Sequence, residues 1–206
     1  MPTVEEFKAD LRTLSLQRRD KLSPELRQSA ADAAAAIPLP IEIKPGMVVS
    51  GYSPLASEIN PIPLMRKFAD AGAQLALPVV IGKGKPLVMR AYAFGQPLDK
   101  GVWGIREPKP DAPEVYPDIL IVPLAAFDRK GHRIGCGAGY YDMTIHRLRV
   151  LNSAVLALGL AYHAQHVAVV PTTPRDARLD LVLTEREVID CRNFGALDRA
   201  GSPATR

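Results

Sequence analysis

Apolar positions along the chain change period several times, and each change marks an element. Val4, Phe7, Leu11 and Leu14 recur at spacings of three and four, the period of an amphipathic helix. Thr3-Val4-Glu5-Glu6 at its start is a capping box, with Thr3 as N-cap and Glu6 reaching back to it. Ser23-Pro24 opens a second helix, and an alanine-rich segment carries it to about Ala36. Apolar runs without helical period then read as strands: Met47 to Ser53, Gln74 to Val80, Leu87 to Ala93, Ile119 to Val122, Val155 to Ala161 and Leu181 to Leu183. A helix from about Pro61 to Ala71, stopped by Gly72, separates the first two strands, and another begins at Tyr140. Gly82-Lys83-Gly84-Lys85 has no helix behind it and predicts a solvent-exposed hairpin loop. Strands alternating with helices predict an α/β fold: a largely parallel central sheet with helices on both faces, led by an N-terminal helical pair. In such sheets ligands bind along the carboxyl ends of the strands.

Composition narrows the setting. The 206 residues suit a single domain, expected over residues 1–197, with a polar tail from Asp198 to Arg206 that should fray. At 47% hydrophobic and 23% charged the chain is ordinary for a soluble globular protein, and no stretch has the length of a membrane span. Met1 to Lys21 is too charged for a signal peptide. Cys136 and Cys191 form no C-x-x-C pair, which predicts a reduced, cytoplasmic compartment. The formal charge of +4 is spread along the chain. That suits small anionic substrates and gives no basic patch for nucleic acid.

The densest chemistry lies between Ile119 and Arg147. An apolar strand leads to a turn at Asp128-Arg129-Lys130-Gly131, then glycines fall on alternate residues at Gly135, Gly137 and Gly139, and a helix starts at Tyr140. Strand, glycine-rich loop and helix build a phosphate site, because bare backbone N–H groups converge on the anion beside a positive helix end. G-x-G-x-G is neither the dinucleotide fingerprint nor a P-loop, and glycines also serve merely to let a crowded turn form. Asp142 shifts the balance. A carboxylate near a helix start is favoured by the dipole without any ligand. Beside a polyphosphate it needs a cation between them, which points to Mg²⁺ held by few carboxylates and many phosphate oxygens.

Elsewhere several residues have two readings. Lys8 and Arg12 share one helix face, as a solvated flank or as a phosphate clamp. Glu58 follows the carboxyl end of the first strand, as a plain loop carboxylate or as a ligand contact. Trp103, the single tryptophan, is a core residue or a ring that stacks on a heteroaromatic ligand from its Gly/Pro-flanked loop. His163 and His166 have no further ligands nearby and are not read as a metal site.

Val122-Pro123, Phe127-Asp128, Gly131, Arg133, Gly135 and the run Gly137-Ala138-Gly139-Tyr140-Tyr141-Asp142 resemble the signature of the 5-formyltetrahydrofolate cyclo-ligases, also called 5,10-methenyltetrahydrofolate synthetases. Other segments agree in order: the Lys8/Arg12 pair, Ser57-Glu58-Ile59, Trp103-Gly104-Ile105-Arg106-Glu107-Pro108, the Tyr162-to-Gln165 run, and Pro171 to Glu185. The chain departs from the family pattern at Asn60-Pro61, at Cys136 and at Ala138, where glycine or lysine is usual and a lysine would bring a charge to the phosphates.

The resemblance implies ATP- and Mg²⁺-dependent cyclisation of 5-formyltetrahydrofolate to 5,10-methenyltetrahydrofolate, without a protein nucleophile. It places Lys8, Arg12, Arg133, Ile134, Gly135, Cys136, Gly137, Ala138, Gly139, Tyr140 and Tyr141 against ATP, with Arg133 neutralising phosphate charge. It places Tyr52, Glu58, Trp103 and the Cys136-to-Tyr140 run against folate, and gives Mg²⁺ to Asp142 and Asp176. The expected partners are these small molecules alone, with no nucleic acid and no membrane, and a monomeric protein. A non-catalytic regulator on the same scaffold, and a sugar-phosphate isomerase-like enzyme, are the alternatives.

Overall fold

The computed structural model describes residues 3–193; the tail expected from Asp198 lies outside them. Two helices come first, α1 (Val4–Asp20) and α2 (Pro24–Ala36). Both start as the sequence dictates. Thr3 and Glu6 close the capping box, and the Ser23 hydroxyl accepts from the Leu26 N–H with Pro24 following it. Next are β1 (Val48–Ser50), α3 (Ile62–Asp70), β2 (Gln74–Val79), β3 (Val88–Tyr92), and a small hairpin of β4 (Leu98–Lys100) and β5 (Arg106–Pro108). After β6 (Ile119–Pro123), a second hairpin of β7 (Ala126–Phe127) and β8 (Arg133–Ile134) leads to α4 (Tyr140–Leu151). The chain then forms β9 (Leu156–Leu160), β10 (Leu181–Leu183) and β11 (Val188–Asp190).

Seven strands make the central sheet in the order β11-β10-β9-β6-β1-β2-β3. The pairs from β10 through β9, β6 and β1 to β2 are all parallel, and only the edge strands β11 and β3 run antiparallel. Alternation along β6 shows why helices cover both faces. Ile119 and Ile121 join a core with Ala30 and Ala34 of α2 and Leu64, Met65 and Phe68 of α3. Leu120 and Val122 point the other way, into a core with Ile145 and Leu148 of α4. The fold is the α/β arrangement that the pattern predicts.

Three features depart from the pattern. β11 and the two short hairpins were not legible, being two or three residues each. The loop at Gly82 to Lys85 does connect antiparallel strands, but Gly84 borders the main cleft rather than open solvent alone. The third is α1, most of whose apolar stripe lies in solvent. Val4, Phe7 and Leu14 are 41%, 54% and 50% exposed, while Lys8, Ser15 and Arg19 are buried. α1 packs over the β7 region and the turn after β9 rather than over an apolar sheet face; there Leu11 and Leu16 pack against Ala125, Ala126, Ile134 and Val170, and the buried polar side chains meet polar groups. Among the described residues, no helix is long and apolar enough to cross a membrane.

Candidate functional site

A cleft of about 660 Å³ opens where β1, β2 and β6 end, a volume typical of a small-molecule site. Its floor includes Tyr52 and Ser53 beyond β1, Pro78 at the end of β2 and Pro123 at the end of β6. α1 and the loop between β8 and α4 form its walls. This is the carboxyl edge of the sheet, where an open α/β fold places ligands.

The glycine-rich loop is built for close approach. Gly137 and Gly139 have φ of 103° and 70°, a region that side-chain-bearing residues avoid. Gly139 is the N-cap of α4 and supplies no side-chain bond to the helix start. First-turn N–H groups of α4 therefore remain available to an anion. Arg12 ties α1 to this loop, its Nε donating to the Gly135 carbonyl at 2.8 Å.

Two ion pairs line the same cleft. Lys8 Nζ lies 2.5 Å from Asp176 Oδ2, and Arg133 Nη2 lies 2.8 Å from Asp142 Oδ1. Backbone N–H groups of Thr173 and Ala177 donate to the same two oxygens, at 2.6 and 3.0 Å. Burial pushes the Asp176 carboxyl up, but the bonds from Lys8 and Thr173 outweigh it and hold the group below its ordinary value. The hydrogen bonds to each carboxylate thus fall on one oxygen, and the other has no protein partner among the described residues. Among the described residues no group of three or more His, Cys, Asp or Glu side chains could hold a metal. Two carboxylates with a spare oxygen each fit an ion that takes its other ligands from phosphate and water, as Mg²⁺ does.

A second set of contacts shapes the rest of the wall. The Tyr52 hydroxyl donates to the Ile59 carbonyl at 2.6 Å, and the Ser53 hydroxyl donates to the Arg106 carbonyl at 2.6 Å. Glu58 Oε2 accepts from the Leu55 N–H at 2.9 Å, and Cys136 Sγ lies 3.9 Å from Glu58 Oε1. Burial raises the Glu58 carboxyl above its ordinary value, against the opposing pull of the Leu55 bond and the Arg19 charge. Trp103 is 63% exposed, so it is not a core residue. It sits at the tip of the β4–β5 hairpin with its ring edge-on to Tyr140, centroids 5.9 Å apart.

The cleft brings together every residue that the sequence put forward: Lys8, Arg12, Tyr52, Glu58, Trp103, the run Arg133 to Asp142, and Asp176. Sequence reasoning missed others. Glu107 is a buried carboxyl on the cleft wall, raised by burial and bonded by the Val80 N–H at 3.2 Å. A Cβ on Gly101 would overlap the Glu107 carboxylate, and that close approach was a readable hint in the Gly-x-Trp segment. Arg175 lines the mouth, one residue before Asp176. Arg19 is buried behind Glu58 and left no signal in the sequence.

A model of the 5-formyltetrahydrofolate cyclo-ligase family matches residues 4–185. The chain belongs to that family. It is 31% identical over 190 residues to the 5-formyltetrahydrofolate cyclo-ligase of Mycolicibacterium smegmatis, covering 88% of this chain and 95% of the relative. The cyclo-ligase of Haemophilus influenzae is 30% identical, covering 81% and 97%. Among solved structures, the 5,10-methenyltetrahydrofolate synthetase of Aquifex aeolicus superposes with a TM-score of 0.73 at 29% identity, over 97% of this chain and 96% of that one. The cyclo-ligase signature Gly135 to Asp142 is the loop and helix start that line the cleft.

Proposed function

We propose that the chain is a 5-formyltetrahydrofolate cyclo-ligase, which uses ATP to close 5-formyltetrahydrofolate to 5,10-methenyltetrahydrofolate with release of ADP and phosphate. The observation that carries the residue assignments is the convergence, in one cleft, of a glycine-rich helix start with Lys8, Arg12 and Arg133, and of Glu58 with the Trp103–Tyr140 ring pair.

The chemical difficulty is the formamide oxygen, a poor leaving group. Attack of that oxygen on the γ-phosphorus breaks the bond to ADP and leaves a phosphate ester on the formyl carbon. N10 then attacks this carbon, loses its proton, and phosphate departs with the C–O bond electrons. Such a transfer demands positioning and charge neutralisation rather than a protein nucleophile. Lys8, Arg12 and Arg133 are assigned to the phosphates, together with the backbone of Ile134 to Tyr141. Asp142 and Asp176 would hold Mg²⁺, which when bound neutralises polyphosphate charge as the leaving group develops. Tyr52, Glu58, Trp103 and Tyr140 are assigned to folate. Glu58 accepts from the N–H groups of the pterin, and Trp103 covers a flat ring.

The reading includes one domain, monomeric and cytoplasmic, acting on small molecules without nucleic acid or membrane; light scattering should return the monomer mass of 22.4 kDa. Absorbance of methenyltetrahydrofolate tests the reaction. Product should form from 5-formyltetrahydrofolate only when ATP and Mg²⁺ are both present. Folded protein that binds both substrates without turnover would mark a regulator instead.

A further inference from the structure

The segment that carries Glu58 is a turn under strain. Glu58 donates its backbone N–H to the Leu55 carbonyl at 2.9 Å, and Leu55 donates its own to the Glu58 carboxylate at 2.9 Å. Inside this turn Ala56 has φ of 49°. Among the described residues only Ala56 and Trp103 hold a positive φ without being glycine, and both belong to segments that border the cleft. An alanine in the left-handed region persists only where its surroundings hold it there.

The holder is on α1. Arg19 Nε donates to the Ser57 hydroxyl at 2.9 Å, and that hydroxyl donates in turn to Asp20 Oδ1. Arg19 is 6% exposed and makes no ion pair among the described residues. Its Nη1 is buried without a partner. A buried guanidinium with no carboxylate in salt-bridge contact is costly, and an apolar side chain would serve simple packing better.

We propose that Arg19 is a positioning residue for Glu58: through Ser57 it holds the left-handed turn that sets the Glu58 carboxylate in the cleft, and it places a positive charge behind that carboxylate. The inference rests on the assignment of Glu58 to folate made above. The titratable and charged groups close enough to act on Glu58 are Arg19 from α1, Tyr52 beyond β1, Cys136 in the glycine loop, Tyr141 of α4 and Tyr162 beyond β9. Arg19 is the cation that acts on Glu58 among them, and burial keeps the tyrosines protonated. Without Arg19 the carboxyl moves further up, so its ionised form is lost at a higher pH.

The test is a double-mutant cycle on full-length protein with Arg19→Gln, Glu58→Gln and the pair, measuring KM for 5-formyltetrahydrofolate and for ATP. Arg19→Gln should raise the folate KM by about tenfold and leave the ATP KM within about twofold, the size of one charge-assisted contact. The acid limb of kcat/KM for folate should move to higher pH. In the Glu58→Gln background, Arg19→Gln should add less than about twofold, because the two act on one contact. An unchanged folate KM in Arg19→Gln, or singles that multiply in the pair, would overturn the inference while Glu58→Gln alone still raises that KM. A Glu58→Gln protein with an unchanged folate KM would instead remove the folate assignment of Glu58, and this inference with it. If Arg19→Gln does not fold, Ser57→Ala carries the test, since it breaks the relay and leaves the charge. A folate KM raised about threefold or more, with ATP unaffected, supports the role; no change in either overturns it.

Discussion

Helices α1 and α3 bury opposite kinds of surface. α3 turns Leu64, Met65 and Phe68 into the core under the sheet, as an amphipathic helix should. α1 buries Lys8, Ser15 and Arg19 and leaves Val4, Phe7 and Leu14 in solvent. α1 starts on a capping box and α3 at Pro61 without a side-chain cap, but neither start decides which face is buried. What separates them is the surface beneath. α3 lies on a sheet face, whereas α1 lies beside the strand ends, where its polar side meets Asp176, the Gly135 carbonyl and Ser57. Only Lys8 and Arg19 among the charges of α1 are buried, and both lie on the side toward the cleft and the Glu58 turn, beside Leu11 and Leu16 that pack inward.

If that contrast is right, substitutions along the two helices and at their contacts should split into effects on turnover and effects on stability. The largest effect is expected at the α4 carboxylate paired with Arg133. Asp142→Asn keeps an acceptor for Arg133 yet removes the charge, and kcat should fall by about 10²–10³-fold with little change in Tm. Near-normal turnover at saturating Mg²⁺ would break the metal assignment. On α3, Phe68→Ala should cost about 3–5 kcal/mol in denaturant unfolding and leave the KM values of the folded fraction unchanged. A raised substrate KM there would blur the comparison. Trp103→Ala, at an exposed ring, should raise the folate KM by about two- to tenfold with Tm unchanged; a collapse in Tm would return Trp103 to a packing role. Smallest of all, Leu14→Gln on the exposed stripe of α1 should shift stability by less than about 0.5 kcal/mol. A larger loss would mean that this stripe is covered after all.

The same contrast explains what could be read in advance. β1, β2, β6 and β9 were legible because a parallel sheet buried on both faces needs continuous apolar runs, and Ile119 to Val122 is such a run. β11 was not, since Val188-Ile189-Asp190 is short, half-polar and lies on an edge. The glycine loop and Asp142 announced themselves because their chemistry is local in sequence. Lys8 and Arg12 carried two readings, for their partners Asp176 and Gly135 lie 168 and 123 residues away. Only the resemblance favoured the phosphate reading of that pair. For α1 the apolar period gave the helix but not its orientation, because periodicity reports two unlike sides without saying which surface each will meet. Arg19 had neither a local pattern nor a quoted family segment to single it out.

By the assignments proposed above, the buried polar face of α1 serves the substrates and not the fold. Lys8→Met tests it most directly, since methionine fills the same volume without the charge and leaves Asp176 with its Thr173 bonds. Measured together, the ATP KM should rise by about tenfold or more while Tm stays within a few degrees. A Tm that falls by about 8 °C or more with the ATP KM unchanged would show that the Lys8–Asp176 pair holds the helix in place, and would contradict the account.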